Sequence, residues 1–145
     1  MTLDLRVETV ATLTPEQRRT VHELIEHART TDAVSPLNEA AMLETGRANC
    51  DPGIAHQLCW ADADLVGYAF LDSATGEPIA QLAVDPAHRR QGVATTMIGE
   101  LGFDPRQPET AHRIGQQVRL HAWSFGDLPA ARALAEGLRY QPVRE

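Results

Sequence analysis

The segment QLAVDPAHRRQGVATTMI, from Gln81 to Ile98, constrains this chain more than any other. Its apolar run Leu82-Ala83-Val84 reads as a strand that stops at Asp85-Pro86, since proline cannot donate to a sheet ladder. A run of helical character follows Gly92. Between strand and helix stand His88, Arg89, Arg90 and Gln91. Such an element pair implies a sheet with helices on its faces, an α/β or α+β architecture. The turn also carries chemistry. The first N–H groups of a helix lack intrahelical partners, and the helix dipole favours an anion there. Gly92 lets a ligand approach the backbone, Ala94 is small, and Arg89 and Arg90 can pair with phosphates. The spacing matches neither a Walker loop nor Gly-x-Gly-x-x-Gly, which sets aside those two nucleotide sites. A pyrophosphate cradle fits the turn; the bland alternative is an ordinary helix start with a solvated basic corner.

The other elements are read in the same way. Leu3 to Val7 alternates and predicts a first strand. Thr14-Pro15-Glu16-Gln17 is a capping box, opening a helix whose stripe is Val21, Leu24, Ile25 and Ala28. Ser35-Pro36 predicts a second helix start, with Leu37, Ala40, Ala41 and Leu43 as its apolar positions and an end near Gly46. Gln57 to Ala61 and Leu65 to Leu71, separated by Asp62-Ala63-Asp64, predict a hairpin. Ile79 to Val84 is the next strand, and Gly92 to Leu101 the next helix. Gln117 to Trp123 alternates as a strand. Asp127 and Pro129 start a last helix, and Tyr140 to Val143 begins a last strand. The result is one α/β (α+β) domain over residues 1–145, with a mixed central sheet flanked by helices.

Bulk properties exclude several partners. The formal charge of −7 argues against nucleic acid, which needs a basic face. No apolar run approaches the roughly 20 residues that span a bilayer. The N-terminal residues lack a basic region followed by an apolar one, so no signal peptide is expected. Cys50 and Cys59 suggest neither a disulfide scaffold nor a metal site, and fit small hydrophobes in a reducing cytoplasm.

The turn carries a family resemblance. Val84 to Ala94 resembles the acyl-CoA-binding motif of the GNAT N-acetyltransferase superfamily, Arg/Gln-x-x-Gly-x-Gly/Ala after a strand. Arg89, Gly92 and Ala94 stand at its fixed positions. The segments TDAVSPLNEAAMLE, LAVDPAHRRQGVAT and HAWSFGDLPAARALA further resemble, in order, the N-terminal half of the mycothiol synthase family. That family is built from two tandem acetyltransferase domains. It moves acetyl from acetyl-CoA to the cysteine amine of cysteinyl-glucosaminyl-inositol, with catalysis assigned to the C-terminal domain.

The resemblance implies a GNAT fold with acetyl-CoA as cosubstrate. It implies that the backbone of Leu82, Ala83 and Val84 lines the acyl and pantetheine arm. It implies that Arg90, Gln91, Gly92, Val93, Ala94 and Thr95 wrap the pyrophosphate, with Arg89 at the motif's first position. Glu39 falls where this family contacts its thiol-sugar substrate; a glutamate there also suits a helix N-terminus.

One departure stands out. Many members carry a tyrosine acid in the last helix, where this chain has Ala135. No acid or base is thereby singled out. His56, His88, His112 and His121 are candidate bases, each also readable as structural, and Tyr140 reads as a packing aromatic. Three functions stay open: the acetyl-CoA-binding half of such a synthase, a stand-alone small-molecule N-acetyltransferase, and a non-catalytic acetyl-CoA-binding domain. A second GNAT domain or a second copy of the chain is the expected partner for an unpaired sheet edge.

Overall fold

In the computed structural model the clearest helix signal closes on itself. The Gln17 N–H donates to Thr14 Oγ1 at 3.1 Å, and the Thr14 N–H donates to Gln17 Oε1 at 2.9 Å. This box, with Pro15 at the first helical position, starts α1, Pro15–Asp32. Val21, Leu24, Ile25 and Ala28 are buried along it, as the 3.6-residue period requires. The structure describes residues 4–47, 53–72, 79–100 and 121–123.

The second helix, α2, spans Glu39–Thr45, and its cap is Asn38 rather than Ser35. The reason is local. The Ser35 hydroxyl is spent in a turn with Leu37, donating to its carbonyl at 2.8 Å and accepting its N–H at 3.3 Å. Asn38 Oδ1 instead accepts the Ala41 N–H at 2.8 Å. The expected stripe is corrected as well: Leu37 and Ala41 are buried, but Leu43 is 66% exposed.

Among the described residues, five strands form one sheet in the order β1-β2-β3-β4-β5. They are β1 Leu5–Val10, β2 Ile54–Ala61, β3 Asp64–Asp72, β4 Ile79–Val84 and β5 His121–Trp123. The first four are antiparallel neighbours, and β5 lies parallel to β4. The first strand thus starts and ends later than alternation alone indicated, because its register with β2 pairs Leu5 to Ala61 and Val10 to His56. β2 and β3 are the expected hairpin. Its loop, Asp62-Ala63, has Asp62 at φ 53°, the left-handed geometry tight hairpins favour.

The sheet is covered on both faces. α1 and α2 pack with Leu58, Tyr68, Phe70 and Ala83. α3, Val93–Glu100, packs on the other face through Val93 and Met97, against Cys59, Val66, Ala69, Leu82 and Val84. A bulge opposite Cys59/Trp60 leaves Val66 without a partner on β2 and puts the consecutive residues Val66 and Gly67 on the same face, toward α3. The buried thiol of Cys59 is pushed up in pKa by burial, so it behaves as a small hydrophobe. No helix among the described residues is long and apolar enough to cross a membrane. The Gln117–Leu120 part of the expected strand, the helix from Asp127 and the strand from Tyr140 lie outside the described residues, as do Cys50, His112 and Ala135.

Candidate functional site

The site is built where β4 ends. The Asp85 N–H donates to Val66 O at 2.8 Å. In an antiparallel pair peptide groups alternate sides, so Ala83 and Asp85 turn theirs to β3 while Leu82 and Val84 turn theirs away. On that far side, among the described residues, the pairing with β5 covers Ile79, Ala80 and Gln81 only. Among the described residues the Val84 N–H therefore lies past the paired edge. The Val84 carbonyl accepts from Arg89 Nε at 3.4 Å.

The turn then takes a defined path. Asp85 Oδ1 accepts the Ala87 N–H at 3.2 Å and caps a single 3-10 turn, Pro86–His88. Arg89 is extended, Arg90 has φ 64° and Gly92 has φ 84°. The positive φ at Gly92 is one reason for glycine there. Packing adds no second reason, since a Cβ at Gly92 would meet nothing within 4 Å among the described residues; the space beside it is open. Helix α3 starts at the next residue, and its first internal bond runs from the Thr96 N–H to Gly92 O at 2.9 Å. The N–H groups of Val93, Ala94 and Thr95 have no acceptor among the described residues. These donors face the dipole's positive end. An open cradle with unpaired donors, the exposed Arg90 and Gln91, and a glycine at its base fits a diphosphate group.

The two arginines separate. Arg90 is exposed and has no ion-pair partner among the described residues. Arg89 points the other way. Its two terminal nitrogens each reach a carboxylate oxygen of Asp32 at 2.6 Å, a two-point pair. Hydrogen bonding to Asp32, aided by the nearby charge of Asp85, holds Arg89 even more firmly protonated than usual.

Glu39 is exposed in the first turn of α2. That turn is fixed to the site by one bond: the Asn38 N–H donates to Oε1 of Gln81 at 2.9 Å. Gln81 is the buried residue preceding Leu82 on β4. Two of the candidate bases have side-chain partners among the described residues. His56 is fully buried with Nδ1 2.6 Å from the Tyr68 hydroxyl, and burial lowers its pKa. His88 Nδ1 lies 3.1 Å from Asp85 Oδ2. His121 belongs to β5. No group of three or more metal-binding side chains is assembled among the described residues.

Sequence reading missed Asp32, Gln81 and Gly67. Each left a trace. Asp32 is an acid at a helix C-terminus, where the dipole disfavours it. Gln81 is the polar residue of an apolar strand. Gly67 interrupts an apolar strand and, as described below, is where α3 comes closest.

Comparison with known proteins fits this geometry. The profile of the acetyltransferase (GNAT) family matches residues 18–120, which includes β2 to β4, the turn and α3. The chain belongs to the GNAT acetyltransferase family. Within it, the mycothiol acetyltransferase of Catenulispora acidiphila is 36% identical over 87% of this chain. That of Nocardia farcinica is 34% identical over 98% of it. The chain spans only 41% and 43% of those two proteins. Solved structures share its fold at low identity. An aminoglycoside N-acetyltransferase in complex with CoA matches all of this chain and 93% of its own, with a TM-score of 0.64 and 11% identity. A ribosomal-protein-alanine N-acetyltransferase from Brucella melitensis matches 97% of this chain and 95% of its own, with a TM-score of 0.59 and 16% identity. GNAT acetyltransferases use acetyl-CoA as acyl donor.

Proposed function

We propose that this chain is the acetyl-CoA-binding N-terminal domain of a mycothiol acetyltransferase. The whole enzyme would move acetyl to the cysteine amine of cysteinyl-glucosaminyl-inositol in the cytoplasm. The observation that carries the reading is the cradle: an open Gly92 and unpaired N–H groups of Val93, Ala94 and Thr95 directly after β4. The likeness to two mycothiol acetyltransferases over most of the chain gives the reading its substrate.

Each residue then has a task. Val93, Ala94 and Thr95 hold the diphosphate through backbone N–H groups, with the Gln91 and Gly92 backbone beside them and the Arg90 guanidinium adding charge. The outward peptide group of Leu82 would receive a pantetheine amide as a strand edge receives another strand, with the Val84 N–H next along the same edge. Ala83 spends its peptide group on β3 and contributes its methyl to the core. When bound, acetyl-CoA supplies an activated thioester. The Val84 N–H is placed to polarise an acyl carbonyl as an oxyanion donor does. Glu39, whose helix start is tied to β4 through Asn38 and Gln81, would meet the substrate amine or its sugar hydroxyls.

A second reading is binding without turnover by this domain alone. It is favoured by the full burial of His56 against Tyr68, which keeps that imidazole from meeting a substrate. A second GNAT domain, or a second copy, would then complete the enzyme.

Calorimetric titration with acetyl-CoA tests the cradle, using wild type, Gly92→Glu and Gly92→Asn. Asparagine tolerates the left-handed backbone and adds no charge, so it controls for strain. Loss of binding in Gly92→Glu with retention in Gly92→Asn supports the cradle. Equal binding in all three, or none by the folded wild type, defeats it. Turnover with the thiol-sugar amine then separates the two readings.

A further inference from the structure

The motif arginine Arg89 is turned away from the cradle it helps define. Its guanidinium is only 23% exposed and sits on a carboxylate that is 12% exposed. Asp32 is the last residue of α1. An acid there opposes the helix dipole, so its placement requires an offsetting cation. Arg89 is that cation, and it comes from 57 residues away. The third arm of the fork, Nε, reaches back to the Val84 carbonyl. One side chain thus ties together the end of β4, the turn and the end of α1. A second tie meets the other end of the 3-10 turn: His27 of α1 lies 3.0 Å from Asp85 Oδ1. Asp85 also holds the Ala87 N–H and His88.

We infer that Asp32 is a positioning residue for the diphosphate cradle. It takes Arg89 in a two-point pair and so fixes the path into Arg90 and Gly92. In this scheme Arg89 shapes the turn, and the phosphates are met by Arg90 and the N–H groups of α3. The inference rests on the acetyl-CoA reading for its ligand, but its structural part stands alone. A two-point pair fixes both distance and direction, which a single contact does not. The left-handed Arg90 that follows is a conformation non-glycine residues adopt only when their surroundings hold it.

The experiment uses Asp32→Asn, Arg89→Lys and the double variant, each checked for a native thermal transition. Lysine keeps the charge but loses the fork. Acetyl-CoA and S-acetylpantetheine, which lacks the phosphates, are titrated into each protein. Amide hydrogen exchange is followed over residues 89–95 without ligand. Either single variant is expected to weaken acetyl-CoA about tenfold and to leave S-acetylpantetheine unchanged. The double variant is expected to be no worse than the singles, since the two residues act as one unit. Exchange over 89–95 should rise in all three.

If Asp32→Asn binds acetyl-CoA as well as wild type or better, the inference is overturned, because a freed Arg89 then serves the phosphate directly. Equal weakening of both ligands also overturns it, since that marks a general loss of fold. A wild type that binds no acetyl-CoA, with exchange still rising in Asp32→Asn, would sink the ligand and leave the clamp. Unchanged exchange would sink the clamp. If Asp32→Asn does not fold, the exchange comparison in Arg89→Lys decides: no rise over residues 89–95 overturns the clamp.

Discussion

The sulfur of Met97 occupies the place where a side chain on Gly67 would begin. A Cβ built at Gly67 would fall 2.6 Å from Met97 Sδ and 2.8 Å from Val93 Cγ1. Both partners are buried on α3, and Val93 is the first residue of that helix. The glycine is therefore what lets α3 lie close on β3, and through Val93 it sets the height of the Gly92 cradle. Gly67→Ala should cost about 1–3 kcal/mol, the usual range for an overpacked core. Because the strain is relieved by moving the helix start, it should also weaken acetyl-CoA binding. Urea unfolding and calorimetry check both, and Val93→Ala in the same chain should recover part of each loss. Full stability and affinity in Gly67→Ala would show that α3 has slack.

A polar side chain makes the second link between core and site. Gln81 is 5% exposed, and its Oε1 accepts the N–H that starts α2. Gln81→Leu keeps the volume roughly but leaves the Asn38 N–H without its acceptor. The expected cost is about 0.5–1.5 kcal/mol, the net worth of one hydrogen bond, because Asn38 is exposed and its N–H can turn to water. Asn38→Ala, which removes only the cap, should cost about 1 kcal/mol. Measured by urea unfolding, a Gln81→Leu loss no larger than a few tenths would mean that α2 is held by its apolar contacts alone.

These two cases show what a sequence can and cannot disclose. The capping box of Thr14 and Gln17 was legible because all its partners lie within one helical turn. Strand β4 was legible to the residue because Asp85-Pro86 ends it covalently. The start of α2 was not. Ser35 and Asn38 are both good caps, and the choice between them is reinforced by Gln81, a residue 43 positions away. The same distance problem hid the orientation of Arg89. Its charge and place in the motif suggested a phosphate contact, while its partner Asp32 sits at the far end of another helix. Long-range pairing leaves only weak local marks, such as an acid against a helix dipole or a glutamine among apolar strand neighbours.

Glu39 separates a structural acid from a functional one. It is exposed in the first turn of α2, where a negative charge gains about 0.3–1 kcal/mol from the dipole. Glu39→Gln should therefore lower stability by no more than that. If it meets the amine substrate, the same change should weaken binding of cysteinyl-glucosaminyl-inositol about tenfold, as loss of a charge-assisted bond does. Acetyl-CoA affinity should not move. A variant whose only deficit is the small stability loss would return Glu39 to a plain helix-start residue.

The last prediction concerns acid sensitivity. His56 is fully buried beside Tyr68 and Phe70. Burial lowers its pKa, and the nearby negative charge of Glu44 opposes the shift without cancelling it. In the unfolded chain the imidazole titrates near 6.5. Between the lowered folded value and about 6.5, the unfolded chain binds a proton that the folded chain refuses. The stability contributed by neutral His56 is therefore complete above about pH 6.5 and is lost as pH falls below it toward the folded value. The urea midpoint of wild type should be lower at pH 5.5 than at pH 7.5, and His56→Gln should shrink that drop. Glutamine can still hydrogen-bond to the Tyr68 hydroxyl, so the comparison isolates titration from the lost ring as far as one substitution allows. Parallel pH profiles for the two proteins would place the acid sensitivity outside His56.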